Sequence, residues 1–279
     1  MPRTLKSLKT PLRYPGGKSR ALANLFRFLP DLSQVKEYRE PFLGGGSVAI
    51  EVTKRYPNLP IWVNDLYTPL YLFWTALRDD GNYLYDQLIQ LKQRHPDPGS
   101  AKQLFLDAKE KVNDDDIGYK DKAVAFYIIN KCSFSGLTES SSFSPQASES
   151  NFSIRGIENL KTYSILIKNW KITNNNYNDL LTNDESIVTY LDPPYEIKSN
   201  VYGKKGNMHK GFDHDGFATL CDQFDGHQLI SYNSSQLIRD RFKEWTVSEF
   251  AHTYTMRSVG CYNKVQASRK ELVLFNYEV

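Results

Sequence analysis

The stretch Ser186-Ile187-Val188-Thr189-Tyr190-Leu191-Asp192-Pro193-Pro194-Tyr195 holds the side chains best suited to chemistry. An ionised Asp192 offers only acceptor oxygens, the carbonyls of a proline turn offer more, and Tyr195 offers a flat ring. An exocyclic amine on a heteroaromatic ring could give its two hydrogens to Asp192 and the Pro193 carbonyl while the ring stacks on Tyr195. Held this way, the amine turns its lone pair toward an electrophile. No general base of high pKa is needed, because the nitrogen attacks first and sheds its proton later. A strand-end turn with a helix-capping Asp fits the same four residues, so the tetrapeptide alone leaves both readings open.

The elements that must position these groups are legible around them. The run Ile187–Leu191 is β-branched, aromatic and mostly apolar, which predicts a buried strand. Pro193 and Pro194 lack an N–H and end it. Asp192 therefore stands at a strand's carboxyl end, where open α/β sheets bind ligands. Upstream, Tyr38-Arg39-Glu40-Pro41-Phe42-Leu43-Gly44-Gly45-Gly46-Ser47 leads into Val48-Ala49-Ile50. Strand, glycine loop and helix start form the first turn of a Rossmann-like sheet, and glycines let backbone approach a ligand closely. The full G-x-G-x-x-G spacing of dinucleotide enzymes is missing. A second strand, Ile61-Trp62-Val63-Asn64, ends in Asp65, about 19 positions after Gly46 and close to the spacing at which an acid meets ribose hydroxyls. Loop and acid together indicate an adenosine-type cofactor.

Before them lies Tyr14-Pro15-Gly16-Gly17-Lys18. A phosphate-binding P-loop is a poor reading, since Leu12 stands where that pattern needs glycine and no buried strand precedes it. What remains is a Gly-Gly turn into a helix over residues 19–28, with Tyr14 and Lys18 placed to meet an aromatic ring and a carboxylate. A solvated lysine on a glycine turn would look the same.

With 279 residues and 40% hydrophobic content, the chain suits one large α/β domain, or one carrying an insertion. A net charge of +3 permits a nucleic-acid partner without requiring one. Cys132, Cys221 and Cys261 are far apart, so neither a disulfide framework nor a zinc site is predicted and a reducing cytosol is the natural setting. No apolar stretch approaches membrane-spanning length, and no secretory leader pattern opens the chain. Residues 70–131 read as amphipathic helices at about 70–94, 101–112 and 121–130. Leu84, Leu88 and Leu91 share one face, and His95-Pro96-Asp97-Pro98-Gly99 makes a break. A block of that size between strands predicts an inserted subdomain. Asp114-Asp115-Asp116 reads as a solvated face. The serine-rich tract that follows Lys131 and Phe134 and runs to Arg155 is by composition a flexible loop or a binding hairpin. Then come a helix at about 160–168, the strand Lys171-Ile172-Thr173, the polar Asn174–Asp179 exit, and the Asp192 strand. The next loop carries Lys204, Lys205, His209 and Lys210, suited to phosphate contacts or to plain solvation. Asp213 would cap a helix over 216–224. Strands at 228–232, 245–250 and 271–275 complete the sheet.

Tyr14 to Lys18, Glu40 to Gly46, Asp65 and Asp192 to Tyr195 occur together and in this order. In these motifs the chain resembles the Dam-like adenine-specific (N6) DNA methyltransferases across nearly its whole length. The resemblance implies S-adenosylmethionine as methyl donor, a flipped-out adenine of double-stranded DNA as acceptor, and a seven-stranded methyltransferase sheet. It implies that Tyr14, Lys18, Glu40, Phe42, Gly44, Asp65 and Asp192 contact the cofactor, with Tyr177 walling its adenine. Asp192 and Pro193 would bind the target amine within the catalytic set Asp192, Pro193, Pro194 and Tyr195, the last stacking the base. Residues 1–69 and 161–279 would form the catalytic domain. Residues 70–160 would form the DNA-recognition subdomain, with a hairpin at about 134–155 and Lys131, Phe134 and Arg155 toward the DNA. Restriction–modification is the expected setting, inside a bacterial or phage-infected cell, with no metal and no obligate protein partner.

Members of that group that read GATC carry Asn-Gly-Leu followed soon by Arg and Asn, whereas this chain has Ser135-Gly136-Leu137-Thr138-Glu139, so the basic reader is missing. Protein glutamine methylation is disfavoured, because that group usually has Asn where this chain has Asp192. An RNA adenine methyltransferase would share the chemistry. A catalytically silent DNA-binding module would share the fold, but has no reason to keep Lys18, Asp65 and Asp192 together.

Overall fold

The computed structural model describes residues 5, 7–195, 211–252 and 269–278. Seven strands, β1 (Glu37–Glu40), β2 (Ile61–Asn64), β3 (Lys171–Thr173), β4 (Ile187–Leu191), β5 (His227–Asn233), β6 (Thr246–His252) and β7 (Arg269–Phe275), form one sheet in the order β3-β2-β1-β4-β5-β7-β6. β3, β2, β1, β4 and β5 are parallel, and β7 runs antiparallel between β5 and β6. This is the α/β, Rossmann-like methyltransferase sheet that the motifs imply. All five residues of β4 are buried, as a central parallel strand covered on both faces requires. The chain runs outward from β1 through β2 to β3, then crosses back to β4. β1 and β4 are therefore neighbours at the point where the winding reverses, and their carboxyl ends flank the ligand crevice.

Nine α-helices are described: α1 (Leu22–Leu25), α2 (Ser47–Arg55), α3 (Thr68–Arg94), α4 (Pro98–Lys111), α5 (Tyr119–Cys132), α6 (Pro145–Ser150), α7 (Ile154–Leu166), α8 (His214–Cys221) and α9 (Gln236–Arg241). The helix expected over residues 19–28 is instead a 3₁₀ turn, Lys18–Arg20, followed by the single turn of α1. Gly17 at the N-cap offers no side-chain acceptor, and Lys18 is drawn inward to Asp192, so regular helix starts late. Asp213 does cap α8, accepting from the Gly216 N–H at 2.8 Å.

Helices α3 to α7 fill the β2–β3 connection. Their packing is continuous with the sheet, since one apolar core joins Tyr38, Val63 and Tyr190 to Phe73 and Trp74 of α3 and Phe126 of α5. α3 kinks at Asp80 (φ −151°, ψ 66°). The segment expected as a hairpin at 134–155 holds one antiparallel bridge, Ser133 to Phe143, with two 3₁₀ turns inside it and α6 beyond it. Its serines do local work: Ser144 and Ser153 cap α6 and α7, and Ser141 Oγ donates to the Phe134 carbonyl at 2.8 Å. Composition made it look flexible because the same residues serve caps and coil. A second core, with Leu191, Ile230, Tyr232, Phe217 and Phe242, fills the other side of the sheet. Among the described residues no helix is long and apolar enough to cross a membrane.

Candidate active site

Alternate residues of a strand share a face. Across the carboxyl end of the sheet this places Tyr38 and Glu40 of β1, Tyr190 and the following Asp192, and Ser231 of β5 on one side, with Glu271 of β7 beside them. Lys18 enters this polar stripe from the glycine turn. Its Nζ donates to both oxygens of Asp192 at 2.7 Å and to the Gly16 carbonyl at 3.0 Å, and lies 3.4 Å from Glu271. The Lys18 side chain is 2% exposed and Glu271 is fully buried, whereas Asp192 keeps 21% exposure. Asp192 Oδ1 also accepts from Ser231 Oγ at 3.1 Å, and Ser231 pairs with the Tyr190 hydroxyl at 2.7 Å. Oδ2 takes only Lys18 among the described residues, so acceptor capacity remains on that oxygen.

Burial lifts Asp192 above the usual carboxylate range, against the pull of Lys18. Burial works against the charge of Lys18, and the carboxylates of Asp192 and Glu271 outweigh it, holding the ammonium above the usual lysine range. Burial pushes Glu40 far above the carboxylate range although the Tyr38 hydroxyl donates to it at 3.0 Å, so Glu40 favours its neutral form.

The glycine loop lies beside this stripe. Gly44 (φ +50°) and Gly46 (φ +66°) occupy the left-handed region, and a Cβ would meet the Tyr14 ring at 2.8 Å and the Trp74 ring at 2.7 Å respectively. Trp74 Nε1 donates to the Gly44 carbonyl at 3.1 Å, so α3 holds the loop from below. Asp65 Oδ2 accepts from the Gly44 N–H at 2.9 Å and Oδ1 from the Tyr67 N–H at 3.0 Å. Burial nonetheless raises its pKa to about 6. Phe42 stacks on Tyr177 with ring centroids 5.3 Å apart, and Phe212 closes on both. The loop glycines, Asp65, Phe42, Tyr177 and Phe212 line a cavity of about 360 Å³ that reaches from Tyr14 and Lys18 past Asp65 to Tyr177 and Asp192. A neighbouring crevice of glycines, one acid at the end of β2, an aromatic pair and a carboxylate-proline turn at the end of β4 is the geometry that the motifs imply.

A family model described as D12 class N6 adenine-specific DNA methyltransferase matches residues 14–257. The chain belongs to this family. Its strands, glycine loop and Asp192 turn are thus those of a DNA adenine methyltransferase, and its substrate is DNA. Among curated proteins it is similar to the Type II methyltransferase M.MjaIII of Methanocaldococcus jannaschii, 28% identical over 202 residues that cover 68% of this chain and 70% of that one. It is also similar to the Type II methyltransferase M.CviBI of Paramecium bursaria Chlorella virus NC1A, 21% identical over 97% of this chain and all of that one.

The methyltransferase fold brings Tyr14, Lys18, Glu40, Phe42, Gly44, Asp65, Tyr177 and Asp192 to one cavity, together with Pro194. Tyr195 stands slightly apart. Its ring is 7% exposed, with Lys18 Nζ 4.9 Å and the Tyr232 ring 5.8 Å away, and its hydroxyl donates to Glu271. Of the residues expected toward DNA, Phe134 is 44% exposed and Arg155 is exposed. Lys131 is buried, its Nζ 5.2 Å from the Tyr127 ring, and burial together with Arg13 lowers its pKa to about 8. Lys204, Lys205 and Lys210 lie outside the described residues.

Sequence reading missed Ser231, Glu271 and Phe212. Ser231 and Glu271 did carry a signal, a polar residue inside the apolar run 228–232 and a charged one at the start of the run 271–275. Phe212 carried none.

Proposed function

We propose that S-adenosylmethionine occupies the cavity between the glycine loop, Asp65 and the Phe42–Tyr177 pair, and that the target is an adenine flipped out of duplex DNA. The observation that carries this reading is Asp192: a partly exposed carboxylate anchored by Lys18 and Ser231 at the crevice, with acceptor capacity left on Oδ2 among the described residues. The residues fit such a donor. Gly44 and Gly46 clear space that a Cβ would fill, Asp65 can accept from ribose hydroxyls, and Phe42 with Tyr177 offers an aromatic wall.

When bound, that donor supplies a methyl group on a sulfonium, which passes to the amine nitrogen as the carbon–sulfur bond breaks and leaves its electron pair on sulfur. Asp192 Oδ2 and the Pro193 carbonyl accept the two N–H hydrogens and turn the lone pair toward the methyl group. Asp192 then takes the surplus proton from the nitrogen and passes it to water. Tyr195 walls the base, and Pro193 with Pro194 keeps the acceptors rigid. Catalysis rests on positioning and on the fixed charges of Lys18 and Asp192. Helices α3 to α7 read the duplex, with Phe134 and Arg155 toward it and Lys204, Lys205 and Lys210 meeting phosphate.

Methyl transfer from labelled S-adenosylmethionine to unmethylated genomic DNA, followed by nucleoside mass spectrometry, tests this. N6-methyladenine that disappears with Asp192→Ala is the expected result. Product retained by a folded Asp192→Ala protein would overturn the assignment of Asp192.

A further inference from the structure

Glu271 heads the buried part of β7, beyond residue 257 where the family match ends. A fully buried glutamate is costly unless other groups use its charge. Here two described groups use it. The Tyr195 hydroxyl donates to Oε1, and the same oxygen lies 3.4 Å from Lys18 Nζ, which grips Asp192 at 2.7 Å. Two carboxylates thus share one ammonium, and one of them also fixes the tyrosine of the Asp-Pro-Pro-Tyr turn.

We propose that Glu271 is a positioning residue of the methyl transfer: it pins Tyr195 beside the target base and shares the Lys18 ammonium with Asp192, so that Asp192 remains a strong acceptor. This rests on Asp192 and Tyr195 serving the adenine as described above. Among the described residues the groups facing Asp192 are Lys18 from the glycine turn, Glu40 from β1, Tyr190 from its own strand, Ser231 from β5 and Glu271 from β7. Of these, Glu271 is the like charge that raises the proton affinity of Asp192.

Glu271→Gln keeps an acceptor for Tyr195 and removes the charge. In single-turnover methyl transfer to DNA, the acidic limb of the rate profile should move down by about one pH unit and the rate at neutral pH should fall roughly tenfold. Tyr195→Phe removes the tie and keeps the charge, so the limb should stay in place while the KM for DNA rises. A Glu271→Gln limb at the wild-type pH with a rate within about twofold of wild type would overturn the proposal. Should Glu271→Gln not fold, Glu271→Asp decides, because it keeps the charge but withdraws it from both partners. A rate at least about tenfold lower at unchanged cofactor affinity supports the role, and an unchanged rate overturns it. Asp192→Ala, run alongside, separates the two failures. Activity surviving there sinks the reading of Asp192, whereas an inactive Asp192→Ala with an unmoved Glu271→Gln profile sinks only the role of Glu271.

Discussion

The side-chain amide of Asn130 holds both backbone groups of Arg13, accepting from its N–H at 3.0 Å and donating to its carbonyl at 2.7 Å. Asn130 is fully buried on α5, among the inserted helices, and Arg13 directly precedes Tyr14 of the cofactor cavity. The Arg13 guanidinium in turn donates to the Ser133 carbonyl at 2.9 Å, and Gly136 packs so closely that a Cβ would meet the Arg13 carbonyl oxygen at 2.8 Å. The insert and the cofactor loop are one mechanical unit. Asn130→Ala should strip two hydrogen bonds from a half-buried peptide, at about 1–3 kcal/mol of stability. It should also weaken S-adenosylmethionine binding although Asn130 never touches the cavity. Urea melts with isothermal titration would show this, and unchanged cofactor affinity would mean that the tie serves stability alone.

Lys18→Met should be more damaging than its conservative size implies. Breaking a buried pair by removing one partner leaves a stranded charge worth about 3–5 kcal/mol. The Asp192 carboxyl would then take up a proton and lose its acceptor role, so turnover should drop by about two orders of magnitude or more. Denaturant melts and single-turnover rates measure the two effects separately.

Asp65 gives a pH dependence of opposite sign for stability and for binding. Its folded pKa of about 6 lies above the ordinary value of 3.8. Between those values the folded state holds the proton that the unfolded state has lost, so stability is greatest below the lower value and falls as pH rises through the upper one. A ribose hydroxyl needs the ionised acceptor, so cofactor affinity should rise over that same window. Titrations between about pH 5 and 7.5, with Asp65→Asn as the flat control, check this. A pH-independent wild-type affinity would remove Asp65 from the cofactor site.

Gly46→Ala should abolish cofactor binding before it abolishes folding. The left-handed backbone costs about 1–2 kcal/mol for alanine, and the added Cβ would push on the Trp74 ring that anchors the loop. A thermal-shift assay should show a modestly lowered melting temperature and no cofactor-induced rise. A normal rise would show that the loop need not approach the ligand closely.

Arg155→Ala should reduce the slope of log affinity for duplex DNA against log salt by about 0.9, the signature of a single phosphate that the guanidinium neutralises. Lys204→Ala and Lys205→Ala should act the same way. Lys131→Gln should leave the slope unchanged, since that ammonium is buried against Tyr127. An Arg155→Ala slope equal to wild type would place the exposed end of α7 away from the backbone.

Much of the machinery is local and was therefore readable. Short β-branched and apolar runs located the strands, Pro193 and Pro194 located the end of β4, and Gly44 to Gly46 located the loop, because each acts through sterics within a few residues. The spacing from Gly46 to Asp65 spans one βαβ turn and is nearly as local. The serine-rich segment failed for the same reason in reverse, since serine's short hydrogen bonds suit caps and coil alike. The sequence by itself thus determined the strand-loop-acid and strand-Asp-Pro-Pro-Tyr units. Only the tertiary structure decided that Lys18, Ser231 and Glu271 converge on Asp192, because insertion of β7 between β5 and β6 sets which carboxylates leave water together, and desolvation depends on strands far apart in the chain.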